Sequence, residues 1–281
     1  MDSSGTHAVE KERFQFGQDG EISSKVQPDV LAAEEPLEIR VEGKSVAVVM
    51  RTPGHDEELV TGFLVTEGII TKAADLFEVS VCPAVIEEGE GNVMDVLLRN
   101  PDAAKLESLT RHVFSSSSCG ICGKATIDSV FCDFSPVSSS VSVTAETLLS
   151  LPGTLRQAQE NFDQTGGLHA SAIFDAQGQL LMLREDVGRH NALDKVIGQA
   201  LLADDLPLSE AIVLMSGRLS FEILQKSLAA GIPIIAGISA PSSLAVDFAG
   251  TSGQTVIGFL RERGFNVYAG KQRVLKSSHE D

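Results

Sequence analysis

Alternating apolar and charged residues predict that regular structure begins near residue 35. The alternation over 35–42, followed by Gly43-Lys44, is typical of a β-hairpin whose second strand covers 45–50. A loop at 52–56 then opens a helix that is expected to end at Gly68. Two later apolar segments predict a further strand pair, over 77–82 and 92–98. The first half of the chain is therefore expected to be rich in strands, with one helix.

Beyond residue 140 the pattern changes to apolar strands that alternate with helices. Two helical stretches are expected first, over 144–151 and 154–162, and a hairpin of two strands, 170–174 and 179–183, follows them. The later elements are expected to be helices over 191–202, 221–230 and 242–249 and strands over 211–215, 232–236 and 255–260. Because these strands are almost entirely apolar, we expect helices on both faces of their sheet.

Three regions are expected along the chain. Residues 1–33 contain few large apolar side chains and no sustained period, so we interpret them as a flexible leader. A serine-rich link at 135–142 then separates a strand-rich domain, 34–140, from an α/β domain, 141–281. The predicted fold class is α/β, of the α+β type, with a strand-rich first domain and a second domain of three-layer mixed α/β architecture.

Composition and charge exclude several classes of protein. The 281 residues are 43% hydrophobic and 22% charged, which is typical of a globular protein. No apolar run approaches the roughly 18 residues of a membrane span, and residues 1–27 lack an apolar signal core, so a cytoplasmic protein without a membrane partner is predicted.

The formal net charge of −17 is unevenly distributed. Residues 1–140 carry 11 basic and 24 acidic side chains, whereas residues 141–281 carry 11 and 15. An acidic chain argues against general nucleic-acid binding, because that binding depends on neutralising phosphates. No nucleic-acid partner is therefore expected, although a local basic pocket in the second half is compatible with this balance.

Two of the four cysteines form a C-x-x-C motif. Cys119 and Cys122 follow four serines, are flanked by Gly120 and Gly123, and precede Lys124. In such motifs a neighbouring thiol, backbone amides and basic side chains lower the pKa of the nucleophilic thiol. The glycines allow the backbone to turn and to approach another molecule. The motif is compatible with a sulfur or redox nucleophile, with half of a zinc site, or with a turn that has no chemical role.

Zinc is the least favoured of these interpretations. A closed zinc site needs four ligands, usually from a second close pair. The sequence has no second pair, since Cys82 and Cys132 stand apart and the six histidines are scattered. A reducing cytoplasm also favours a reactive dithiol over a structural disulfide. No metal site is predicted.

Polar residues collect where the predicted strands of the second half end. In an open α/β sheet, ligands bind outside the carboxyl ends of the strands, and helix N-termini there suit anions. Arginine side chains bind phosphate oxygens through paired hydrogen bonds. Five arginines follow these strands: Arg184, Arg189, Arg218, Arg261 and Arg263. Each alone is compatible with a surface ion pair, whereas together they indicate a phosphate-bearing ligand.

One apparent enzyme motif fails in detail. His169-Ala170-Ser171 resembles the H-x-E of zinc deaminases, but serine replaces the general acid and base glutamate. The C-x-x-C also lies upstream of this segment instead of downstream. We therefore interpret His169 as a structural hydrogen-bonding residue.

Several blocks in the same order resemble the formate dehydrogenase accessory sulfurtransferase family of FdhD type, over about 34–270. They are Glu34–Leu37, Arg51–Gly54, Glu57–Leu64, Ser118–Gly123, Arg184–Lys195, Ser216–Arg218 and Gly258–Arg261. The residues before Glu34 have no counterpart that we can place. So many blocks in order make the resemblance specific, which none of them achieves alone.

The resemblance implies a sulfurtransferase. Such a protein accepts persulfide sulfur from a cysteine desulfurase on Cys119, with Cys122 as the partner thiol. It then passes the sulfur to the bis(molybdopterin guanine dinucleotide) molybdenum cofactor, which formate dehydrogenase needs for activity. The implied partners are the desulfurase, the formate dehydrogenase apoenzyme and a second copy of the chain in a homodimer.

The resemblance also implies a binding segment for that cofactor, made of Phe259, Leu260, Arg261, Glu262, Arg263 and Gly264. Arg189, His190 and Arg218 are further candidates for contacts with the cofactor, because they also follow strand ends. The implied fold of the second half is cytidine-deaminase-like without the zinc site. Two other functions stay open: a non-catalytic chaperone that only holds the molybdenum cofactor, and a redox enzyme in which Cys119 and Cys122 form a disulfide.

Overall fold

The computed structural model describes residues 5–82, 92–101 and 134–276. Its first elements are two antiparallel strands, β1 (Thr6–Phe16) and β2 (Ile22–Ala32). A four-stranded sheet follows, in the order β4-β3-β6-β5. Its strands are β3 (Glu35–Val41), β4 (Lys44–Arg51), β5 (Leu76–Val81) and β6 (Val93–Leu98). Helix α1 (Asp56–Thr66) connects β4 to the second strand pair.

The hairpin of β3 and β4 confirms the predicted turn. Glu42 and Gly43 both have positive φ, 53° and 71°, as a two-residue type I′ turn requires. The predicted helix is also confirmed, and it stops before Gly68, whose φ is 73°. Strands β5 and β6 pair antiparallel, as the apolar runs predicted.

Residues 6–32 form a paired hairpin where the sequence analysis expected a flexible leader. β1 and β2 pair without interruption from Thr6 opposite Ala32 to Phe16 opposite Ile22. The pattern gave no signal because most of the hairpin's side chains, including its aromatic rings, are exposed instead of packed in a core. Its backbone hydrogen bonds, which sequence periodicity does not reveal, define these strands.

The second half is built on a six-stranded sheet in the order β13-β12-β11-β10-β8-β9. A short strand β7 (Val143–Thr144) precedes it and pairs with β14 (Val274–Leu275). The strands are β8 (His169–Phe174), β9 (Leu180–Asp186), β10 (Ile212–Met215), β11 (Ile234–Gly237), β12 (Thr255–Arg261) and β13 (Gly264–Ala269). The helices are α2 (Ala145–Ala158), α3 (Glu160–Thr165), α4 (Arg189–Leu202), α5 (Phe221–Ala229) and α6 (Ser243–Ser252).

Helices cover both faces of this sheet, as its apolar strands predicted. Leu148, Leu151 and Leu155 of α2 pack on one face, in a cluster with buried residues such as Ile212. Residues of α4, α5 and α6 share a second cluster with Val213 and other side chains of the opposite face. The observed fold is therefore mixed α/β, of the predicted class, while the closer likeness to cytidine deaminases stays a prediction. No helix within the described ranges is long and apolar enough to cross a membrane.

The predicted break between two helices at Pro152 is wrong. Helix α2 runs continuously through Pro152 and Gly153 to Ala158, and α3 begins two residues later. A proline inside a helix removes one backbone hydrogen bond, which normally bends or ends the helix. Here Leu148, Leu151 and Leu155 are buried on both sides of the proline, so packing against the sheet keeps one helix.

Helices α1 and α4 cross in backbone contact. A Cβ atom on Gly62 would lie 1.8 Å from the carbonyl oxygen of Asp194, and one on Gly198 would lie 1.8 Å from that of Glu58. Only glycine permits this approach. The buried cluster at the crossing contains side chains from both halves, including Leu59 and Val196. The domain boundary at residue 140 stays a prediction, but one core extends across it.

An ion pair crosses the same junction. Arg184 on β9 donates to both carboxylate oxygens of Glu58 on α1, with Nη2 2.6 Å from Oε1. Burial opposes ionisation of Glu58, but hydrogen bonds from Arg184 and His55 outweigh it and lower the pKa of Glu58 from 4.5 to about 2. The charged form of Glu58 is therefore favoured by folding.

We predict that Gly198→Ala destabilises the protein by about 3 kcal/mol or prevents folding, because the added methyl group forces α1 and α4 apart. The matched control is Gly250→Ala in α6, where an added Cβ meets nothing within 4 Å. That variant should be neutral or more stable by about 0.5 to 1 kcal/mol. Urea unfolding of both variants makes the comparison, and equal stability of the two would contradict the backbone contact.

We also predict that Glu58→Gln loses stability in a pH-dependent way. The pKa of Glu58 is lower in the folded protein, so its contribution is complete above about pH 4.5 and is lost as pH falls toward 2. The difference in unfolding free energy between wild type and Glu58→Gln should therefore be largest at pH 7 and shrink below pH 4.5. Urea unfolding at pH 7, 4.5 and 3 measures it, and a difference that does not change with pH would show that the pair is not charged.

Candidate functional site

The structure confirms that the predicted strand ends meet at one edge of the six-stranded sheet. Strands β10, β11 and β12 are parallel, and β9 runs in the same direction because β8 is antiparallel to both β9 and β10. Their carboxyl ends therefore share an edge with the first residue of β8, His169. Ser216 and Ile238 follow β10 and β11 at this edge.

A cleft of about 770 Å³ lies at this edge. Helices α2 and α3 form one wall, with Leu155, Arg156 and Phe162. The remaining lining comes from the loop before β8 and from strand ends, and includes Gly166, Gly167, His169, Ser216, Ile238, Arg261, Glu262 and Arg263. A cleft of this volume lies in the range of small-molecule binding sites, about 300 to 1,000 Å³.

The predicted cofactor segment, 259–264, is the tip of the β12–β13 hairpin. Arg261 and Gly264 pair across the turn, so Glu262 and Arg263 occupy its tip. The structure brings Arg261, Glu262 and Arg263 into the cleft lining. Leu260 is fully buried in the core, and Phe259 is 44% exposed with a positive φ of 53°, where the β12 pairing is irregular.

Positive charge dominates the lining of the cleft. Among the described residues that line it, Arg156, Arg261 and Arg263 are cationic and Glu262 is acidic. The guanidinium of Arg156 forms an ion pair with Asp163 of α3 and lies over the ring of Phe162, 5.1 Å from its centroid, so Arg261 and Arg263 carry most of the excess positive charge. In a chain of net charge −17 this local excess of arginine is an exception, and it favours an anionic ligand.

His169 lies in the cleft, in addition to making the structural hydrogen bond that the sequence analysis expected. Its Nδ1 is 3.3 Å from Oγ of Ser216. Burial lowers the pKa of His169, the positive charges of Arg189 and His190 lower it further, and Asp186 acts in the opposite direction. The place of His169 was not predicted, because β8 runs antiparallel to its neighbours and its first residue therefore lies where the other strands end.

The other three candidates lie near the cleft but do not line it. His190 contacts Glu222, with Nε2 3.2 Å from Oε2, and so faces α5. Arg218 is exposed on the loop after β10. Arg189 lies beside His169, because a Cβ atom on Gly217 would be 3.4 Å from carbons of both side chains. Arg189 therefore acts on the cleft through its charge on His169.

The interpretation of Arg184 as a phosphate contact was wrong. Its guanidinium is held by Glu58, a residue 126 positions earlier in the chain. No sequence pattern indicates this partner, because the two residues meet only through the crossing of the two halves. Arg184 instead fixes β9 against α1.

The turn after β9 is anchored by a buried carboxylate. Asp186 is fully buried and accepts hydrogen bonds from the backbone amides of Thr52 (3.1 Å) and Gly188 (2.8 Å). Nζ of Lys195 lies 2.7 Å from Asp186 and also donates to the carbonyl oxygen of Thr52. The blocks at 51–54 and 184–195 thus meet, and together they hold the start of α4, including Arg189, beside the cleft.

The predicted catalytic residues, Cys119 and Cys122, lie outside the described residues. The same is true of Lys124. Within the described ranges, no group of three or more His, Cys, Asp or Glu side chains is arranged to hold a metal ion. The described part of the candidate site therefore consists of the cleft and the residues around it.

Comparison with known proteins gives consistent results. The FdhD/NarQ family matches residues 32–275. A relative from Streptomyces coelicolor, named Sulfur carrier protein FdhD, is 50% identical over 265 residues, which cover 91% of this chain and 92% of that protein. A relative of the same name from Sulfurisphaera tokodaii is 46% identical over 256 residues, covering 89% and 93%.

A solved structure supports the same relationship. The crystal structure of a protein from Desulfotalea psychrophila, described as a formate dehydrogenase accessory protein, matches with a TM-score of 0.72 and 26% identity. The match covers 95% of this chain and 99% of that one. The family resemblance expected from the sequence blocks is confirmed, and the chain belongs to the FdhD/NarQ family.

Proposed function

We propose that the protein is a sulfur carrier that accepts persulfide sulfur on Cys119 and delivers it to a nucleotide-bearing molybdenum cofactor, as formate dehydrogenase requires. The observation that carries this proposal is the cleft lined by Arg156, Arg261 and Arg263 at the strand ends. Near-full-length relatives named as sulfur carriers, and the C-x-x-C motif in this sequence, support the sulfur chemistry.

The first step is a thiol exchange with a persulfide donor. The Cys119 thiolate attacks the outer sulfur of the persulfide on a cysteine desulfurase, and the sulfur–sulfur bond of the donor breaks. The donor leaves as a thiolate, and Cys119 now carries the transferred sulfur as its own persulfide. No electrons are gained or lost overall, so this loading step needs no additional reductant. Cys122 stands three residues away as the partner thiol.

The cleft is proposed to bind the acceptor, bis(molybdopterin guanine dinucleotide) molybdenum cofactor, as a substrate. Its pyrophosphate groups are anionic, and guanidinium groups match them in charge and hydrogen-bonding geometry. Glu262 offers carboxylate oxygens that suit the N–H groups of a guanine edge. A homodimer would present two such clefts to a ligand with two guanine groups. The protein is then a sulfurtransferase whose further partner is the formate dehydrogenase apoenzyme.

Two alternatives make different predictions. A chaperone that only holds the molybdenum cofactor needs the arginine-lined cleft but no transferable sulfur. A dithiol redox enzyme needs Cys119 and Cys122 equally and has a measurable two-electron reduction potential. The arginine-lined cleft is compatible with both a sulfur carrier and a chaperone. Experiments on the cysteines are therefore needed to separate these two functions.

We predict that Cys119→Ala abolishes formate dehydrogenase activity in cells without unfolding the protein, because the proposal places the transferred sulfur on this side chain. The control is Cys82→Ala. Cys82 is half-buried at the end of β5 with its sulfur 3.8 Å from Nη1 of Arg40, away from the cleft lining. Its loss should leave the activity nearly unchanged. Normal formate dehydrogenase activity with Cys119→Ala would contradict the sulfur-carrier proposal.

We predict that Arg261→Ala weakens retention of the molybdenum cofactor by about tenfold or more, because one charged hydrogen-bonding group is worth roughly 1.5 to 3 kcal/mol. Sulfur loading on Cys119 should change much less. The matched control is Arg99→Ala, an exposed arginine at the end of β6 that does not line the cleft. Cofactor content and persulfide content are measured on the same purified samples. Equal loss of both with Arg261→Ala would indicate misfolding instead of a binding role.

A further inference from the structure

A pair of side chains at the base of the cleft has no role in the proposal so far. His169 begins β8, and Ser216 directly follows β10. Two hydrogen bonds involving Ala170, the residue after His169, hold the two strands side by side here. The amide of Ser216 donates to the carbonyl oxygen of Ala170 (3.0 Å), and the amide of Ala170 donates to Oγ of Ser216 (2.9 Å). Both residues line the cleft.

This network leaves the Ser216 hydroxyl free to donate its hydrogen to His169. Oγ of Ser216 accepts the Ala170 amide, and the hydroxyl hydrogen can also be donated to Nδ1 of His169, 3.3 Å away. When Nδ1 accepts that hydrogen, the proton of the neutral ring resides on Nε2. Burial lowers the pKa of His169, and Arg189 and His190 lower it further, which favours the neutral ring.

The ring is also held in place. A Cβ atom on Gly217 would lie 3.4 Å from both Cε1 and Nδ1 of the imidazole, so the ring lies next to the space that a side chain at this position would fill. When Nδ1 accepts the hydrogen of Ser216, Nε2–H is the ring donor that is left for a ligand. The arginines of the cleft supply charge on long, flexible side chains, whereas His169 supplies one donor in a fixed direction.

We propose that His169 is a positioning residue of the cleft, whose Nε2–H donates a hydrogen bond to an anionic oxygen of the bound ligand. Ser216 acts through His169 by fixing its tautomer and its ring orientation. This inference rests on the proposed function in one respect, namely that the cleft binds the pyrophosphate of a guanine nucleotide.

The test uses two conservative variants that keep different halves of the imidazole. His169→Gln places an amide near the position of Nε2, and His169→Asn places one near the position of Nδ1. Calorimetric titration of the full chain with guanosine diphosphate and, separately, with inorganic pyrophosphate measures affinity. Thermal unfolding of the same samples measures stability.

We expect His169→Asn to weaken both ligands about tenfold, the value of one hydrogen bond to a charged acceptor. His169→Gln should recover most of that affinity, and Ser216→Ala should cause a smaller loss because the ring is then free to turn. The Tm values of His169→Gln and His169→Asn should stay within a few degrees of each other. A role limited to the Ser216 hydrogen bond predicts the reverse order, with asparagine as the better replacement.

The inference would be overturned by wild-type affinity in His169→Asn, by no recovery in His169→Gln, or by losses of affinity that follow losses of Tm. A loss seen with guanosine diphosphate but not with pyrophosphate would also overturn it, because the contact would then be to the base or the sugar. If the wild type binds neither ligand, the proposed use of the cleft fails and this inference fails with it. Sulfur loading on Cys119 would be unaffected by that result.

Discussion

The architecture depends on the close crossing of α1 and α4, where Gly62 and Gly198 bring two helix backbones into contact. This approach sets the distance between the two halves of the chain. It allows Glu58 to reach Arg184 and the loop at Thr52 to reach Asp186. Since β9 and the start of α4 are held by these contacts, the crossing also fixes the edge of the sheet where the cleft forms.

Hydrogen bonds from the first half complete two ion pairs of the second half. Lys195 lies against Asp186, and Lys226 lies against Asp194, with Lys226 and Asp194 both bonded to Thr66 of α1. Buried ions are costly unless their remaining hydrogen-bonding groups are satisfied, so the bonds that Thr52 and Thr66 of the first half supply to these pairs favour the observed junction. The blocks at 51–54 and 184–195 carry part of the family resemblance. They contain several of the residues that make these contacts.

The sequence predicted most elements of the second half because its strands and helices follow clear hydrophobic periods. It also predicted that polar strand ends would gather, since parallel strands end at one edge. It missed the β1–β2 hairpin, whose apolar side chains are exposed, and it broke α2 at Pro152, where packing overrides the proline. It misassigned Arg184 and missed the position of His169 in the cleft, because the Glu58 contact and the antiparallel place of β8 arise only in the folded chain.

The central claim is that Cys119 carries transferable sulfur. The most direct test is the intact mass of the protein after incubation with cysteine and an active cysteine desulfurase, before and after treatment with a thiol reductant. The account predicts a gain of one sulfur atom that the reductant removes and that Cys119→Ala never acquires. No gain in the wild type, with the desulfurase shown to be active, would contradict the account and favour a protein that only holds the cofactor.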